Sequence, residues 1–346
     1  MRAMPIPSRF LAPARTVAVA AAGAALFAAI GLPLPLLLGP MFGCLAAALA
    51  GMTLGGFGPV SEGMRTVLGV AVGASITPAL IGRLGEMALS VALIPLFILV
   101  IGLVGYPYFR RLCRFDPATA YYAAMPGGLQ DMILFGEEAG GSARALSLVH
   151  ATRVLVIVAL MPPILTLGWG LDLTAPPGAL AATVPGEELA IMLACAVIGW
   201  VLATRIGLFG ASILGPLAVA AVASLSDILH HRPPAEAIWA AQFIIGATVG
   251  VKYVGITGGE LTRVVGAALG FCLILTVLSI LFATLAHWLG GAPWVEALLA
   301  FAPGGQAEMV VLALVAGADI AFVVTHHLVR LVVVITGAPI VIRWLR

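Results

Sequence analysis

Long apolar stretches alternate with short polar turns along the whole chain. A helix needs about 17–25 apolar residues to cross the roughly 30 Å hydrocarbon core of a bilayer. The pattern therefore predicts an all-α fold, a polytopic bundle of about ten transmembrane helices near residues 15–34, 36–55, 65–82, 87–109, 144–168, 187–205, 208–226, 237–256, 263–287 and 320–342.

The second half of the chain repeats the first. Pro126-Gly127-Gly128 recurs 177 residues later as Pro303-Gly304-Gly305, and ten of the 37 positions in 126–162 are identical in 303–339 without a gap. Such self-similarity indicates a duplicated structural unit. We expect an N-terminal segment, a first membrane repeat, a linker and a second membrane repeat, at residues 1–14, 15–170, 171–186 and 187–346.

Arginine placement predicts that the two repeats are inverted. Cytoplasmic loops of membrane proteins are enriched in Lys and Arg. Five crossings per repeat place the arginine-rich turn after 87–109 and both termini in the cytoplasm, and the turns at 287–296 and 168–188, which have no Lys or Arg, outside. Arg83 and Arg232 fall outside in this arrangement and argue against it. In the alternative, the PGG segment belongs to a crossing helix and one earlier segment does not span.

Composition supports a membrane protein and argues against other classes. Hydrophobic residues make up 62% and charged residues 9% of the chain, with a net charge of +2, far from globular norms. This balance offers no surface for direct nucleic-acid binding. The basic, alanine-rich start resembles a secretory signal, but its counterpart near 187–205 indicates that it is retained. The four cysteines are too far apart to form a metal motif, so no metal or cofactor is predicted.

The two PGG motifs predict interrupted helices. Proline and glycine stop a helix and free backbone groups that need partners inside a membrane. The half-helix that follows would present amides and its positive end to a solute, which makes the glycines of both motifs candidate substrate-binding residues; a packing kink is the alternative. Pro40 and Pro216 form a second candidate pair of breaks, or ordinary kinks.

Asp131 and Glu308 lie three residues after their glycine pairs, in the first turn of the following half-helix. A carboxylate there has a simple structural explanation, because the helix dipole favours it. The functional hypothesis is that these two residues bind a proton or a sodium ion and couple it to transport.

A histidine and an arginine follow in each repeat, three residues apart and so on one helix face. His150 and Arg153 are matched by His327 and Arg330, and both arginines fall near mid-bilayer, where an arginine costs about 2.5–3.5 kcal/mol. They pair either with the carboxylates or freed carbonyls of the protein, or with an anionic substrate. His326 should point away from His327.

These motifs carry a family resemblance. MPGGLQDM at 125–132 with His150-x-x-Arg153, and APGGQAEM at 302–309 with His327-x-x-Arg330, resemble the duplicated AbrB membrane-protein family. Its members are labelled transcriptional regulators or putative ammonia monooxygenases, and they are unrelated to the soluble DNA-binding AbrB. The resemblance implies a multi-pass protein of the bacterial inner membrane.

Three functions compete at this point. A secondary transporter of a small solute is favoured by inverted repeats, broken helices and ionisable residues at mid-membrane, and the paired arginines favour an organic anion. An indirect regulator of gene expression is the second hypothesis. A membrane monooxygenase is the third, and it would need a metal held by Asp131, Glu308, His150 and His327, so we do not expect an enzyme. The expected partners are the lipid bilayer, the solute and a proton or sodium ion.

Overall fold

A computed structural model of the protein describes residues 8–78, 84–173, 176–208 and 210–345, and this part of the chain is helical without strands. Two π-helical turns, Tyr108–Leu112 and Leu261–Val265, adjoin α4 and α11. The helices are α1 Ser8–Ala29, α2 Pro35–Leu49, α3 Pro59–Gly73, α4 Leu84–Pro107, α5 Pro117–Ala124, α6 Leu129–Glu138, α7 Ala143–Trp169, α8 Gly186–Arg205, α9 Ala211–Leu225, α10 Ala235–Val251, α11 Gly266–Gly290, α12 Trp294–Phe301, α13 Gln306–Val315 and α14 Ile320–Leu345.

The duplication in the sequence is a duplication of helices. Each of α1 to α7 has its counterpart seven helices later. Five of the six long helices begin and end within three residues of the predicted spans, whereas α1 begins at Ser8, inside the expected N-terminal segment 1–14, and ends five residues before its predicted span does. One helix per repeat was missed, α5 in the first and α12 in the second, and each has eight residues. The sequence windows used for spans are too long to detect them.

The repeats are inverted, as predicted. Tyr108, at the end of α4, donates a hydrogen bond to the Ala267 carbonyl at the start of α11 (2.9 Å). At the other end of the pair, Gly290 lies beside Ser90. The equivalent helices α4 and α11 therefore run antiparallel. In the same way Thr248, near the end of α10, donates to Ser61 in the first turn of α3 (3.3 Å).

The chain forms two compact units, and neither is a sequence repeat. Residues 1–76 and 171–256 form unit 1, which contains α1–α3 and α8–α10. Residues 77–170 and 257–346 form unit 2, which contains α4–α7 and α11–α14. Each unit thus combines half of the first repeat with the matching half of the second. The repeat boundaries expected at 170 and 187 describe the sequence, whereas the compact units interleave both repeats.

Unit 1 is held together by close helix contacts at glycine. Gly69 and Gly73 of α3 lie against the backbone of α9, and Gly246 and Gly250 of α10 lie against the backbone of α2 in the equivalent way. A Cβ at any of these positions would collide with a carbonyl or side chain of the neighbouring helix. Small residues of this kind allow helix backbones to approach closely inside a membrane.

Pro40 and Pro216 do not break their helices, so the expectation of a second pair of breaks is wrong. Pro40 is the sixth residue of α2 and Pro216 the sixth of α9, and both helices continue through them. A proline this close to a helix start removes a single backbone bond. Each follows a glycine that packs against the neighbouring helix, Gly39 against Gly23 and Gly215 against Gly199.

The helices are those of a membrane protein. Six of those that the structure describes are long and apolar enough to cross a bilayer, namely Ala12–Ala29, Gly85–Leu112, Ala143–Trp169, Gly186–Arg205, Gly258–Gly290 and Ile320–Arg343. The helices α2, α9 and α10 are apolar but shorter, with 15 to 17 residues. At 1.5 Å per residue they extend about 22–26 Å, somewhat less than the hydrocarbon core.

Candidate functional site

The first PGG motif lies at the tip of a re-entrant hairpin in unit 2. Asp116 caps α5 by accepting from the Thr119 amide (2.8 Å), and the chain leaves the helix in extended conformation at Met125. It stays extended at Gly128 before α6 begins. After α6, the Ser142 amide donates to the Thr119 hydroxyl (2.7 Å). The end of the hairpin thus returns to its beginning, and the alternative of a PGG motif on a crossing helix is excluded for this repeat.

The second motif is built in the same way. The α12 helix ends at Phe301. The backbone is extended at Ala302 and again at Gly305, and α13 begins at the next residue. The Asp319 amide, beyond α13, donates to the Glu296 carboxylate in the first turn of α12 (3.3 Å). Both hairpins therefore close at their bases, although through different side chains.

The two predicted arginines bind the carbonyls that the breaks release. Arg153 donates from Nη1 to the Met125 carbonyl (3.1 Å) and from Nη2 to the Gly127 carbonyl (2.9 Å). Arg330 donates in the same way to Ala302 (2.9 Å) and Gly304 (3.3 Å). Both are almost fully buried, at 4% and 2% exposure. The sequence left open whether the arginines pair within the protein or with a substrate. In the structure both arginines pair with the carbonyls that the breaks free.

This arrangement explains why an arginine is needed at each position. Extended residues at the tip of a buried hairpin have carbonyls without helical partners, which are costly in a membrane. The planar guanidinium places two donors at once on two carbonyls of the same break. The arginine thereby holds the open tip in place, while the carbonyls compensate for its burial.

The two histidines are buried beside the same breaks. His327 Nε2 lies 3.0 Å from the Leu299 carbonyl. The equivalent carbonyl, of Tyr122, lies near His150, but among the described residues neither ring nitrogen of His150 has a hydrogen-bond partner. His326 points elsewhere, as predicted, since its Nε2 lies 3.0 Å from the Ser90 hydroxyl and its Nδ1 2.8 Å from the Phe322 carbonyl.

The first glycine of each tip lets a methionine fold beneath it. A Cβ on Gly127 would collide with the Met132 side chain, and one on Gly304 would collide with that of Met309. Both methionines are fully buried. These glycines therefore shape the hairpin tips by their small size, and both matching methionines were visible in the sequence repeat.

The two carboxylates occupy different environments. Glu308 is 8% exposed, and its carboxylate folds back over Gly305, where an added Cβ would collide with it. The charge of Glu308 acts on Arg153, which belongs to the other repeat, and the charge of Arg153 acts on Arg330. Asp131 is partly exposed. The structure therefore places Glu308 with the arginines and leaves Asp131 nearer the surface of the unit.

Comparison with known proteins agrees with this architecture. The family model described as transition state regulatory protein AbrB matches residues 36–346. The chain belongs to the AbrB family. It is also 26% identical over 296 residues to the uncharacterized protein YhjN of Bacillus subtilis (strain 168), an alignment that covers 80% of this chain and 76% of that protein.

Several polar groups of this AbrB-family chain were missed by sequence reasoning. Ser279 donates to the Phe301 carbonyl at the second break (3.0 Å), and Ser90 contacts His326. Gln306, the first residue of α13, has a buried Nε2 that finds no hydrogen-bond partner in the part of the chain that the structure describes. The residues at the equivalent positions of the other repeat are apolar or glycine, so comparison of the repeats did not identify these three. Within the described ranges, no three His, Cys, Asp or Glu residues form a group suited to a metal ion.

Proposed function

We propose that this AbrB-family protein is a secondary transporter of a small solute, with an anion as the first class to test. The observation that carries the proposal is the pair of re-entrant hairpins in unit 2, related by the inverted repeat, each with an open tip held by a buried arginine. Irregular backbone at membrane depth is tolerated only where protein buries it or it lines a cavity, and paired discontinuous helices are typical of solute sites in transporters.

The proposed substrate-binding residues are Arg153, Arg330, His150, His327 and the glycines of both tips. The arginine Nη groups are already committed to carbonyls. Their proposed role is therefore to set the geometry and the positive charge of the site, while a solute contacts the remaining donors. Glu308, buried and acting on Arg153, is the stronger candidate for proton or sodium coupling, with Asp131 as the second.

Counterflow in proteoliposomes tests the proposal. Purified protein is reconstituted with a high internal concentration of one unlabelled anion, and uptake of the same labelled anion is followed for acetate, lactate, succinate and phosphate in turn. We expect transient accumulation of at least one probe, abolished by Arg330→Ala. Absence of counterflow for every probe, with folded protein confirmed in the vesicles, argues against transport of small anions.

A regulatory role is the second candidate, because the family model itself carries the description of a regulatory protein. We propose that any such effect is indirect, through the level of the transported solute. Transcript profiles of a deletion strain complemented with wild type or with Arg330→Ala separate the roles. Full restoration of the profile by the variant, at equal membrane abundance, would favour regulation independent of transport.

A further inference from the structure

The Glu308 carboxylate occupies a defined place at the start of α13. Glu308 is the third residue of this ten-residue helix, and its side chain turns back until the carboxylate lies over Gly305, the residue before the helix. The first turn of a helix has unpaired amides and a partial positive charge. The carboxylate therefore lies where the helix favours an anion.

The surroundings of this place are positively charged. Arg153 and Arg330 are both buried, and Glu308 is the carboxylate whose charge acts on Arg153. Arg330 is affected in turn by the charge of Arg153. Arg330 also donates to the carbonyl of Gly304, the residue before Gly305 (3.3 Å). Because burial of uncompensated positive charge is costly, the start of α13 favours a negative charge beside these guanidinium groups.

Buried donors without partners belong to the same two arginines and to Gln306, the residue that follows Gly305. Arg153 Nε, Arg330 Nε and Gln306 Nε2 are buried and, within the described part of the chain, have no hydrogen-bond partner. Each is an N–H donor, and a buried donor without an acceptor destabilises the folded protein. A ligand that supplies acceptor oxygens fits these groups, whereas a cationic ligand does not.

The first repeat does not have this arrangement. Leu129 stands in place of Gln306, and Asp131 has a side chain one methylene shorter than that of Glu308 and is partly exposed. The place described above is therefore specific to the second hairpin. If the carboxylate only capped the helix, the two matching hairpins would not need different residues at these two positions.

We propose that Glu308 occupies the position of a small monocarboxylate ligand, and that ligand and Glu308 replace one another there. This inference rests on the proposed function in treating the second hairpin as a solute site. The Glu308 side chain itself presents one carboxylate with one charge to the helix start, which defines the class of ligand. When the ligand binds, the Glu308 carboxylate leaves the helix start, and the single charge beside the arginines is conserved.

Binding of acetate to purified protein in detergent tests this exchange. Thermal unfolding is measured during titration with sodium acetate at constant ionic strength, for wild type, Glu308→Gln and Gly305→Ala. Glu308→Gln removes the internal competitor, and if Glu308 occupies the place about nine-tenths of the time, the apparent affinity for acetate rises about ten-fold. An alanine at 305 is compatible with the backbone there (φ −70°, ψ 144°). In Gly305→Ala, however, the added methyl group takes the position of the Glu308 carboxylate. It should abolish stabilisation by acetate.

Glu138→Gln serves as the matched control, since Glu138 is an exposed carboxylate at the end of α6. It should bind acetate as wild type does. Unchanged or weaker acetate binding by Glu308→Gln, or wild-type binding by Gly305→Ala, overturns the proposal. Should either variant fail to fold, Glu308→Asp withdraws the carboxylate by one methylene and should also strengthen acetate binding; an unchanged affinity again overturns it. Counterflow of another solute without any acetate effect would refute this inference and leave the transporter proposal standing.

Discussion

At the scale of single residues, the arginines of the two breaks illustrate what spacing in a sequence reveals. The doubled His-x-x-Arg pattern identified Arg153 and Arg330, and their depth in the membrane required a partner for each. The partner could not be chosen from the sequence, because carboxylates and freed carbonyls were both available. The structure selects the carbonyls, since one guanidinium spans two of them in the same break.

Replacement of either arginine by lysine should destabilise the protein. A lysine ammonium is a single point donor and cannot reproduce the fork that binds Met125 and Gly127. Loss of one charged hydrogen bond and the resulting unpaired carbonyl should cost about 2–4 kcal/mol. Thermal unfolding in detergent measures the loss for Arg153→Lys and Arg330→Lys.

Arg263→Lys is the control for these variants. Arg263 also donates to a carbonyl, that of Arg114 (3.2 Å), but from an exposed position. Its replacement should cost less than about 0.5 kcal/mol. Equal melting temperatures for Arg153→Lys, Arg330→Lys and wild type would contradict the proposal that these arginines stabilise the hairpin tips.

His230, in the loop between α9 and α10, should make stability depend on pH. Its Nδ1 lies 2.8 Å from the Glu188 carboxylate, and this hydrogen bond raises the pKa of His230 above its ordinary value. A raised pKa in the folded state means that the stabilisation is complete below the unfolded pKa of about 6.5. It is lost as pH rises through the folded value.

We therefore expect the melting temperature of wild type to fall slightly between about pH 6 and pH 8. The decrease over the same pH range should be smaller for His230→Gln. His231→Gln is the comparison, because His231 Nδ1 lies farther from Glu188, at 3.5 Å. An identical pH profile for His230→Gln and wild type would show that the pair does not contribute.

At the scale of elements, long apolar helices were predictable and short ones were not. The predicted spans matched helices because about twenty apolar residues have few alternatives inside a membrane. The eight-residue helices α5 and α12 escaped because span windows average over greater lengths. Asp116-Pro117 before α5 is a start signal of the expected kind, with a capping side chain and a proline in the first turn, and it could have identified α5.

The base of the first hairpin should depend on Thr119. Its hydroxyl accepts from the Ser142 amide, and Thr119→Val leaves that amide without an acceptor, at a cost of about 1–3 kcal/mol. The hairpin should open more often, with faster amide hydrogen exchange in α6. Thr262→Val, at an exposed threonine that bonds only to nearby carbonyls of its own helix start, should leave exchange in α6 unchanged. Unaltered exchange in Thr119→Val would contradict a base held by this contact.

At the scale of the whole molecule, the sequence predicted inversion but not the grouping of the helices. Arginine asymmetry and an odd number of crossings gave antiparallel repeats, and the pairing of α4 with α11 confirms it. Arg144 and Arg263 reinforce this asymmetry. Arg144 pairs with Glu260 (2.9 Å), and Arg263 contacts the turn that contains Arg114. The interleaving of repeats in two compact units depends on contacts distant in sequence, which a repeat pattern does not report.

Orientation in the membrane provides the last prediction. Arg111 follows the end of α4 and Ala292 follows the end of α11, and because these helices run antiparallel, the two residues lie at opposite ends of unit 2. Because arginines gather near Arg111, the positive-inside rule predicts that this end lies in the cytoplasm. Ala292 itself is 4% exposed, so the exposed Pro293 beside it is the better position for a label. Single cysteines at 111 and 293, on a background without the four native cysteines, should therefore differ in intact cells. An impermeant maleimide should label position 293, and position 111 only after the membrane is permeabilised. Ala175, the other residue expected outside, lies beyond the described residues, as do Arg2, Arg83 and Arg346. Labelling of 111 but not 293 in intact cells would reverse the orientation, and labelling of both would contradict the antiparallel pairing of the repeats.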